Sequence, residues 1–325
     1  MGEYDFSHEL ERIIMITNRS KIAVIGAGFV GASTAYALAL KSLASEIVLI
    51  DINQDKAEGE ARDIAHGMSF MGEMFIHAGG FEEVRDSDII IVTAGANRKP
   101  GETRMQLAQK NTEIARGITR EIMKYYNTGV ILVVANPVDV LTYEIFKESG
   151  LPKGRVFGTG AVLDTARFRY LLSEEAGVDV RNIHGFIAGE HGETQFAVWS
   201  AVRIAGLTLE EYCKGTNINI DKKRIEQMVR SAGAEVIERK GATYFAISSA
   251  IAKIAEVIIK DQRAVLNVSS MTDGTFGLQD VSLSLPTIVG RSGVLRRLES
   301  DFSEEERSML MKSAQAIRAT IDSIV

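Results

Sequence analysis

The chain has 325 residues, 46% of them hydrophobic and 25% charged, which is enough apolar material for about two packed domains. Its 37 basic residues against 43 acidic ones leave a formal charge of -6, without the basic excess expected of a phosphate-backbone binder. A single cysteine, Cys213, excludes an internal disulfide framework and a Cys-pair zinc site, and no apolar run approaches the roughly 20 residues of a membrane span.

The N-terminus carries Glu3, Asp5, Glu9 and Glu11, where a secretory signal would be apolar. The expectation is a soluble, cytoplasmic protein that binds neither nucleic acid nor membrane. Residues 1–20 read as a mixed-charge extension or arm, and Met15 is a plausible alternative start. From Lys21 the pattern becomes strand, turn, helix and strand. Lys21–Ile25 is a short apolar run, Gly26-Ala-Gly-Phe-Val-Gly31 is a glycine turn, and residues 32–43 are Ala-rich and helix-favouring. Glu46–Ile50 is a second apolar run ending at Asp51. Buried strands are predicted at 89–93 and 130–135, with a long helix over 105–126 between them. Strands separated by helices imply right-handed crossovers and a parallel sheet.

Pro100 and Gly101 break a polar stretch, 96–104, that is too long for a tight turn; Pro137 is expected to end a strand, and Pro152 lies in a connector over 150–154. No low-complexity linker and no internal repeat interrupts the chain. In the second half a strand-like run over 183–188 precedes helices over 222–239 and 243–260. Ser303 and Glu306 form a capping box before a last helix with apolar Leu310, Ala314, Ile317 and Ile321.

The glycine turn carries the first chemistry. Gly26, Gly28 and Gly31 follow a strand and open a helix, and Asp51 closes the next strand twenty residues past Gly31. Gly26 makes the turn, Gly28 lets a pyrophosphate approach the backbone, and Gly31 lets helix and strand pack closely. The helix N-terminus offers unpaired N–H groups to the phosphates. Asp51 would accept both ribose hydroxyls and repel a 2′-phosphate, so the cofactor is NAD rather than NADP. A strand-end turn former is the bland alternative for Asp51. His191, in Gly189-Glu-His-Gly-Glu193, is by default a surface or satisfied histidine. Asp164 and Arg167, three apart, read as an intrahelical ion pair worth about 0.3 kcal/mol. Arg98 and Arg104, in the Pro-Gly loop, read as solvated charges. Spacing alone does not bring these groups together.

Four motifs in order do so by resemblance: Thr93-Ala-Gly-Ala-Asn-Arg-Lys-Pro-Gly-Glu-Thr-Arg104, Asn136-Pro-Val-Asp139, Leu163-Asp-Thr-Ala-Arg167 and Gly189-Glu-His-Gly192. Together they resemble the L-lactate/malate dehydrogenase family from about residue 20 to the C-terminus. Glu190, the Val198-Trp-Ser200 that follows and Lys240-Gly-Ala-Thr243 are similar to the bacterial, allosteric-type L-lactate dehydrogenase branch. The resemblance implies an α/β protein with an N-terminal Rossmann domain, a doubly wound parallel sheet, over residues 21–160. An α+β catalytic substrate domain over 161–325 completes it. It implies hydride transfer between NAD and a small keto or hydroxy acid, with pyruvate and L-lactate as the pair.

By the same resemblance His191 gives a proton to the carbonyl oxygen and Asp164 holds its imidazole. Arg167 grips the substrate carboxylate, and Arg104, on a closing loop, polarises the carbonyl. Asn136 orients the substrate oxygen, Thr243 lines the wall, and the Asn136–Pro137 bond is cis. Ala94 and Gly95 join Gly26, Gly28, Gly31, Asp51 and Asn136 on the cofactor side, and no metal is implied. Arg169 and His184 match the pair that binds fructose 1,6-bisphosphate between subunits, and the assembly implied is a homotetramer.

Arg98 departs from this pattern. Lactate enzymes usually carry Gln there and malate enzymes Arg, which can pair with a second carboxylate. Oxaloacetate activity, or a malate dehydrogenase on a lactate dehydrogenase scaffold, is therefore the competing reading. An NAD-dependent glycosidase would need a metal site that one Cys and five His do not offer. A non-catalytic nucleotide-binding regulator would have no use for His191, Asp164, Arg167 and Arg104 together.

Overall fold

A computed structural model describes residues 20–97, 101–299 and 301–324. The first half alternates strand and helix: β1 (Lys21–Ile25), α1 (Phe29–Leu40), β2 (Glu46–Ile50), α2 (Gln54–His66), β3 (Phe75–Ala78) and β4 (Ile89–Val92). It continues with α3 (Arg104–Tyr125), β5 (Val130–Val133), α4 (Val138–Ser149) and β6 (Val156–Gly158). The six strands pair in parallel in the order β3-β2-β1-β4-β5-β6. Because successive strand residues face opposite ways, each strand feeds two cores. Val24, Leu49, Ile91 and Leu132 pack with Leu38 of α1 on one face, while Ile25, Val48, Ile90 and Ile131 pack with Ile122 of α3 and Leu141 of α4 on the other. Burial on both faces is why these strands read as continuous apolar runs instead of alternating ones.

The second half opens with α5 (Val162–Ala176), followed by short strands β7 (Ile183–His184), β8 (Ile187–Ala188), β9 (Phe196–Ala197), β10 (Arg203–Ile204) and β11 (Leu207–Thr208). Helices α6 (Leu209–Thr216), α7 (Lys222–Lys240) and α8 (Phe245–Ile259) lead to β12 (Ala264–Met271), β13 (Ser282–Gly290), β14 (Gly293–Arg297) and the last helix, α9 (Glu304–Ile324). Strands β12 to β14 form an antiparallel meander. Through Ser269 opposite Gly158, β12 joins β6 and extends the parallel sheet to nine strands. Helix α8 packs on α1 from the same side, so the two halves share one core through Ile251, Ile254 and Ile258.

Several sequence expectations are corrected. The first helix starts at Phe29, not at 32, because Gly28 serves as its N-cap and the glycine turn runs straight into it. The run 183–188 is not one strand. Strand β7 belongs to a three-stranded sheet with β10 and β11, and β8 pairs with β9. The break falls at Gly185, where a Cβ would stand 2.9 Å from the Phe168 ring. Strand β5 closes at Val133, and Pro137 caps α4. The last helix keeps its capping box: Ser303 N–H donates to Glu306 and Glu306 N–H to Ser303 Oγ, at 2.8 and 3.2 Å. Most of the expected N-terminal extension, residues 1–19, lies outside the described residues. Among the described residues, no helix is long and apolar enough to cross a membrane.

Candidate active site

Strand order reverses between β1 and β4, and the crevice beyond their C-terminal ends is where open α/β sheets take ligands. Thr93 and Ala94 both donate backbone N–H groups to Ile25 O, at 2.9 and 3.0 Å, which brings the end of β4 against the glycine turn. Gly26, at φ 103°, could not carry a side chain: a Cβ would lie 2.8 Å from Ala94 N. A Cβ on Gly31 would collide with the Gly26 carbonyl oxygen. Gly28 differs, since a Cβ there would meet nothing within 4 Å. Helix α1 has no capping side chain, so its first N–H groups open onto that free space. Asp51 holds the turn from the side. Its Oδ2 accepts from Ala27 N–H at 2.6 Å and its Oδ1 from Asn53 N–H at 2.9 Å, and each oxygen keeps a lone pair for a hydroxyl. Gly95 is exposed, and a Cβ on it would stand 3.3 Å from the Ala135 methyl.

The polar centre lies between α4, α5 and the loop joining β8 to β9. Asp164, in the first turn of α5, is 1% exposed and divides its carboxylate. Oδ2 lies 2.5 Å from His191 Nδ1, and Oδ1 accepts from Arg167 Nη1 at 3.0 Å. Burial works against the His191 imidazolium, but the adjacent Asp164 carboxylate outweighs it and raises the pKa to about 9. Burial likewise favours a neutral Asp164, and the charges of His191 and Arg167 overcome it, holding that carboxyl below its usual range. The ion pair read from spacing is thus real, but it is one arm of a three-membered set built on the buried Asp164 carboxylate, with His191 and Arg167 partly exposed. The loop bearing His191 is tied on two sides: Gly189 exchanges two backbone hydrogen bonds with Ser284 at 2.9 Å each, and Glu190 N–H donates to Ser313 Oγ at 2.6 Å.

Arg104 is not on the loop, as expected, but is the first residue of α3, just after its Thr103 cap. Its Nη2 lies 2.6 Å from Glu193 Oε1, two residues beyond His191. Arg98, the residue on which the substrate reading turns, lies outside the described residues. Asn136 precedes a cis bond to Pro137, as the resemblance implied. Thr243 stands half-buried in the connector from α7 to α8, beside Tyr244, whose ring stacks on Phe29 of the glycine turn at 5.4 Å. Arg169 is turned away from this centre and donates through Nε to Gly185 O at 2.8 Å, next to the exposed His184. Glu46, His77 and Glu83 could group around a metal ion, but the Lys21 ammonium already stands 2.9 Å from Glu46 and 2.8 Å from Glu83.

Residues 20–158 match the lactate/malate dehydrogenase NAD binding domain, and residues 161–325 match the lactate/malate dehydrogenase alpha/beta C-terminal domain. The chain belongs to the lactate/malate dehydrogenase family. It is 48% identical to L-lactate dehydrogenase 1 of Clostridium acetobutylicum over 308 residues, covering 94% of this chain and 98% of the relative. It is also 48% identical to L-lactate dehydrogenase of Acetivibrio thermocellus over 307 residues, covering 94% and 97%. Among solved structures, minor L-lactate dehydrogenase from Enterococcus mundtii superimposes with a TM-score of 0.91 at 38% identity, covering 95% of this chain and 99% of that one. A lactate dehydrogenase from a Medee basin deep-sea metagenome gives 0.92 at 39%, covering 94% and 99%.

Membership of this family makes the chain an NAD-dependent oxidoreductase acting on a 2-hydroxy acid. The cradle fits that cofactor: an open face at Gly28, uncapped N–H groups at the start of α1, and acceptor oxygens on Asp51. Two residues of the site escaped the sequence reading. Asn111, 3% exposed on α3, accepts from Ala96 N–H at 2.7 Å and donates to Ala96 O at 3.2 Å and Asn136 O at 2.7 Å. An Asn on the buried face that also carries Ala108, Thr112, Ala115 and Ile122 was the available signal. Asp139 is the other: its Oδ2 accepts the backbone N–H of His191 at 2.7 Å.

Proposed function

We propose that the chain is an L-lactate dehydrogenase that reduces pyruvate to L-lactate with NADH, and that its named residues divide the work as follows. Bound NADH supplies the hydride to the carbonyl carbon. His191, charged in neutral solution because of Asp164, gives its proton to the carbonyl oxygen. Arg167 presents its guanidinium to the substrate carboxylate; among the described residues its one acceptor is Asp164, which leaves N–H groups of the fork for a bidentate partner. Arg104 leaves Glu193 to polarise the carbonyl, with Asn136 holding the same oxygen and Thr243 lining the wall. Ala94 and Gly95 join the glycine turn and Asp51 on the cofactor side. The His191–Asp164–Arg167 set, centred on the buried Asp164, is the observation that carries this reading, since it couples a proton donor to a carboxylate clamp through one shared carboxylate.

Arg98 adds activity toward oxaloacetate, because a lid arginine enclosed beside the methyl group of pyruvate would lose its partner. Steady-state NADH oxidation with pyruvate and oxaloacetate side by side tests both points. Turnover of neither acid rejects the dehydrogenase reading. A preference for pyruvate that is unaltered in Arg98→Gln rejects the role of Arg98 alone.

The enzyme is further read as a cytoplasmic homotetramer whose Arg169 and His184 take fructose 1,6-bisphosphate across a two-fold interface. Two features support an anion there. His184 is exposed and stands opposite Arg203 in the β7–β10 pair, and Arg169 is bound to the next carbonyl along.

A further inference from the structure

The motif 136–139 enters the reaction through Asn136, and its last residue is left over. Asp139 lies in the first turn of α4, is 2% exposed, and accepts the His191 N–H through Oδ2 at 2.7 Å. Its other oxygen, Oδ1, has no hydrogen-bond partner among the described residues. The Ser269 hydroxyl on β12 stands near enough to act on the carboxylate, but its geometry falls short of a hydrogen bond. A buried carboxylate with an orphaned oxygen is costly. An asparagine of the same shape would accept the same N–H without burying a charge. The charge therefore calls for a use, and the residue whose backbone it already holds is His191, the bearer of the imidazole.

We infer that Asp139 is a second positioning carboxylate for the proton donor, fixing the main chain of His191 through Oδ2 and favouring its charged ring from the backbone side. Three charged groups then bear on the ring: Asp164 and Asp139 support the proton, and Arg167 of α5 opposes it. Around Asp139 itself, burial raises the pKa to about 6, Ser269 and His191 pull it down, and Glu190 pushes it up. The carboxylate is charged above about 6, so its support is present through the neutral and alkaline range in which His191 must keep its proton.

This inference rests on His191 being the proton donor, and the experiment separates the two. Pyruvate reduction at saturating NADH is measured against pH for wild type, Asp139→Asn and His191→Asn, with NADH fluorescence reporting that each variant is folded. The alkaline limb of Asp139→Asn should move to lower pH, read as a loss of turnover relative to wild type that grows as pH rises through the limb. A purely structural role would lower the rate at every pH alike and leave the limb in place. Should Asp139→Asn fail to fold, Asp139→Ser makes the same comparison with a smaller uncharged side chain. A limb at its wild-type position in the folded variant overturns the inference. Wild-type turnover in His191→Asn overturns instead the assignment on which it rests.

Discussion

Arg104 and Glu193 form an ion pair at 2.6 Å between the first residue of α3 and the loop that bears His191. Both side chains are well exposed, 71% and 61%, so the pair is weak and screened by salt. It nonetheless competes with the substrate for the arginine proposed to polarise the carbonyl. Glu193→Gln should therefore lower the KM for pyruvate, by about 1.5- to 5-fold for a pair worth 0.2–1 kcal/mol. The effect should shrink as salt rises. A KM that increases, or one that stays put at low salt, would show that Glu193 does not hold Arg104 away from the site.

The pH dependence follows from the ring. His191 is raised to about 9, so pyruvate reduction should hold through neutral pH and fall as pH climbs through about 9, while lactate oxidation gains over the same range. Folding follows the same sign. A histidine raised above its unfolded value contributes stability that is complete below about 6.5 and is lost as pH rises through about 9. Asp164→Asn removes the larger support and should shift the kinetic limb further than Asp139→Asn does. Turnover in His191→Asn should drop by roughly 10²–10⁴. Stopped profiles of NADH oxidation and lactate oxidation across pH check each point, and a limb near 6.5 in wild type would refute the raised value.

Asn111 ties the base of the 96–104 segment to the Asn136 turn with three hydrogen bonds. Asn111→Ala strands a backbone N–H and two carbonyls, at about 1–3 kcal/mol for a buried group left unpaired. The thermal midpoint should fall by several degrees. The KM for pyruvate should rise as well, because Asn136 and the segment carrying Arg98 lose their common anchor. A variant with normal kinetics and a normal midpoint would show that water replaces the amide without loss.

How much of this was legible in the chain depends on the range of the interaction. The glycine turn and the Ser303–Glu306 capping box are local, their chemistry written within a few residues, and Asp51 is legible because one strand–helix–strand unit fixes its spacing from the turn. The junction of β12 with β6 rests on Ser269 facing Gly158, a pairing more than a hundred residues apart that no periodicity encodes. The split of 183–188 goes with the Phe168 ring standing over Gly185 from the preceding helix, a contact that no strand periodicity encodes either. At the site, His191, Asp164 and Arg167 could be named by resemblance, but their union through two oxygens of one carboxylate needed the fold. Asn111 and Asp139 were missed for a related reason. Each is a polar side chain on the buried face of a helix, and only its partners tell a staple from a defect.

The last prediction concerns the proposed activator site. Arg169 is partly buried, and burial lowers its pKa, so its charge sits where an anion would relieve it. Its Nε is spent on Gly185 O, which aims the remaining guanidinium N–H groups and fixes them beside β7. His184 on β7 faces outward, and Arg203 lies directly across the antiparallel pair, so their side chains share one face. Two copies of this set across a two-fold axis would gather six cationic or protonatable groups around one doubly phosphorylated sugar, and without it they would repel. Arg169 is two residues from Arg167 on α5, so a shift that relaxes one can displace the carboxylate clamp. Fructose 1,6-bisphosphate should therefore lower the KM for pyruvate and raise the thermal midpoint. Arg169→Gln should lose the response while keeping turnover at saturating pyruvate, because the clamp and the proton donor are untouched. If the sugar bisphosphate moves neither the KM nor the midpoint of wild type, the site does not bind it, and Arg169 serves only to hold Gly185.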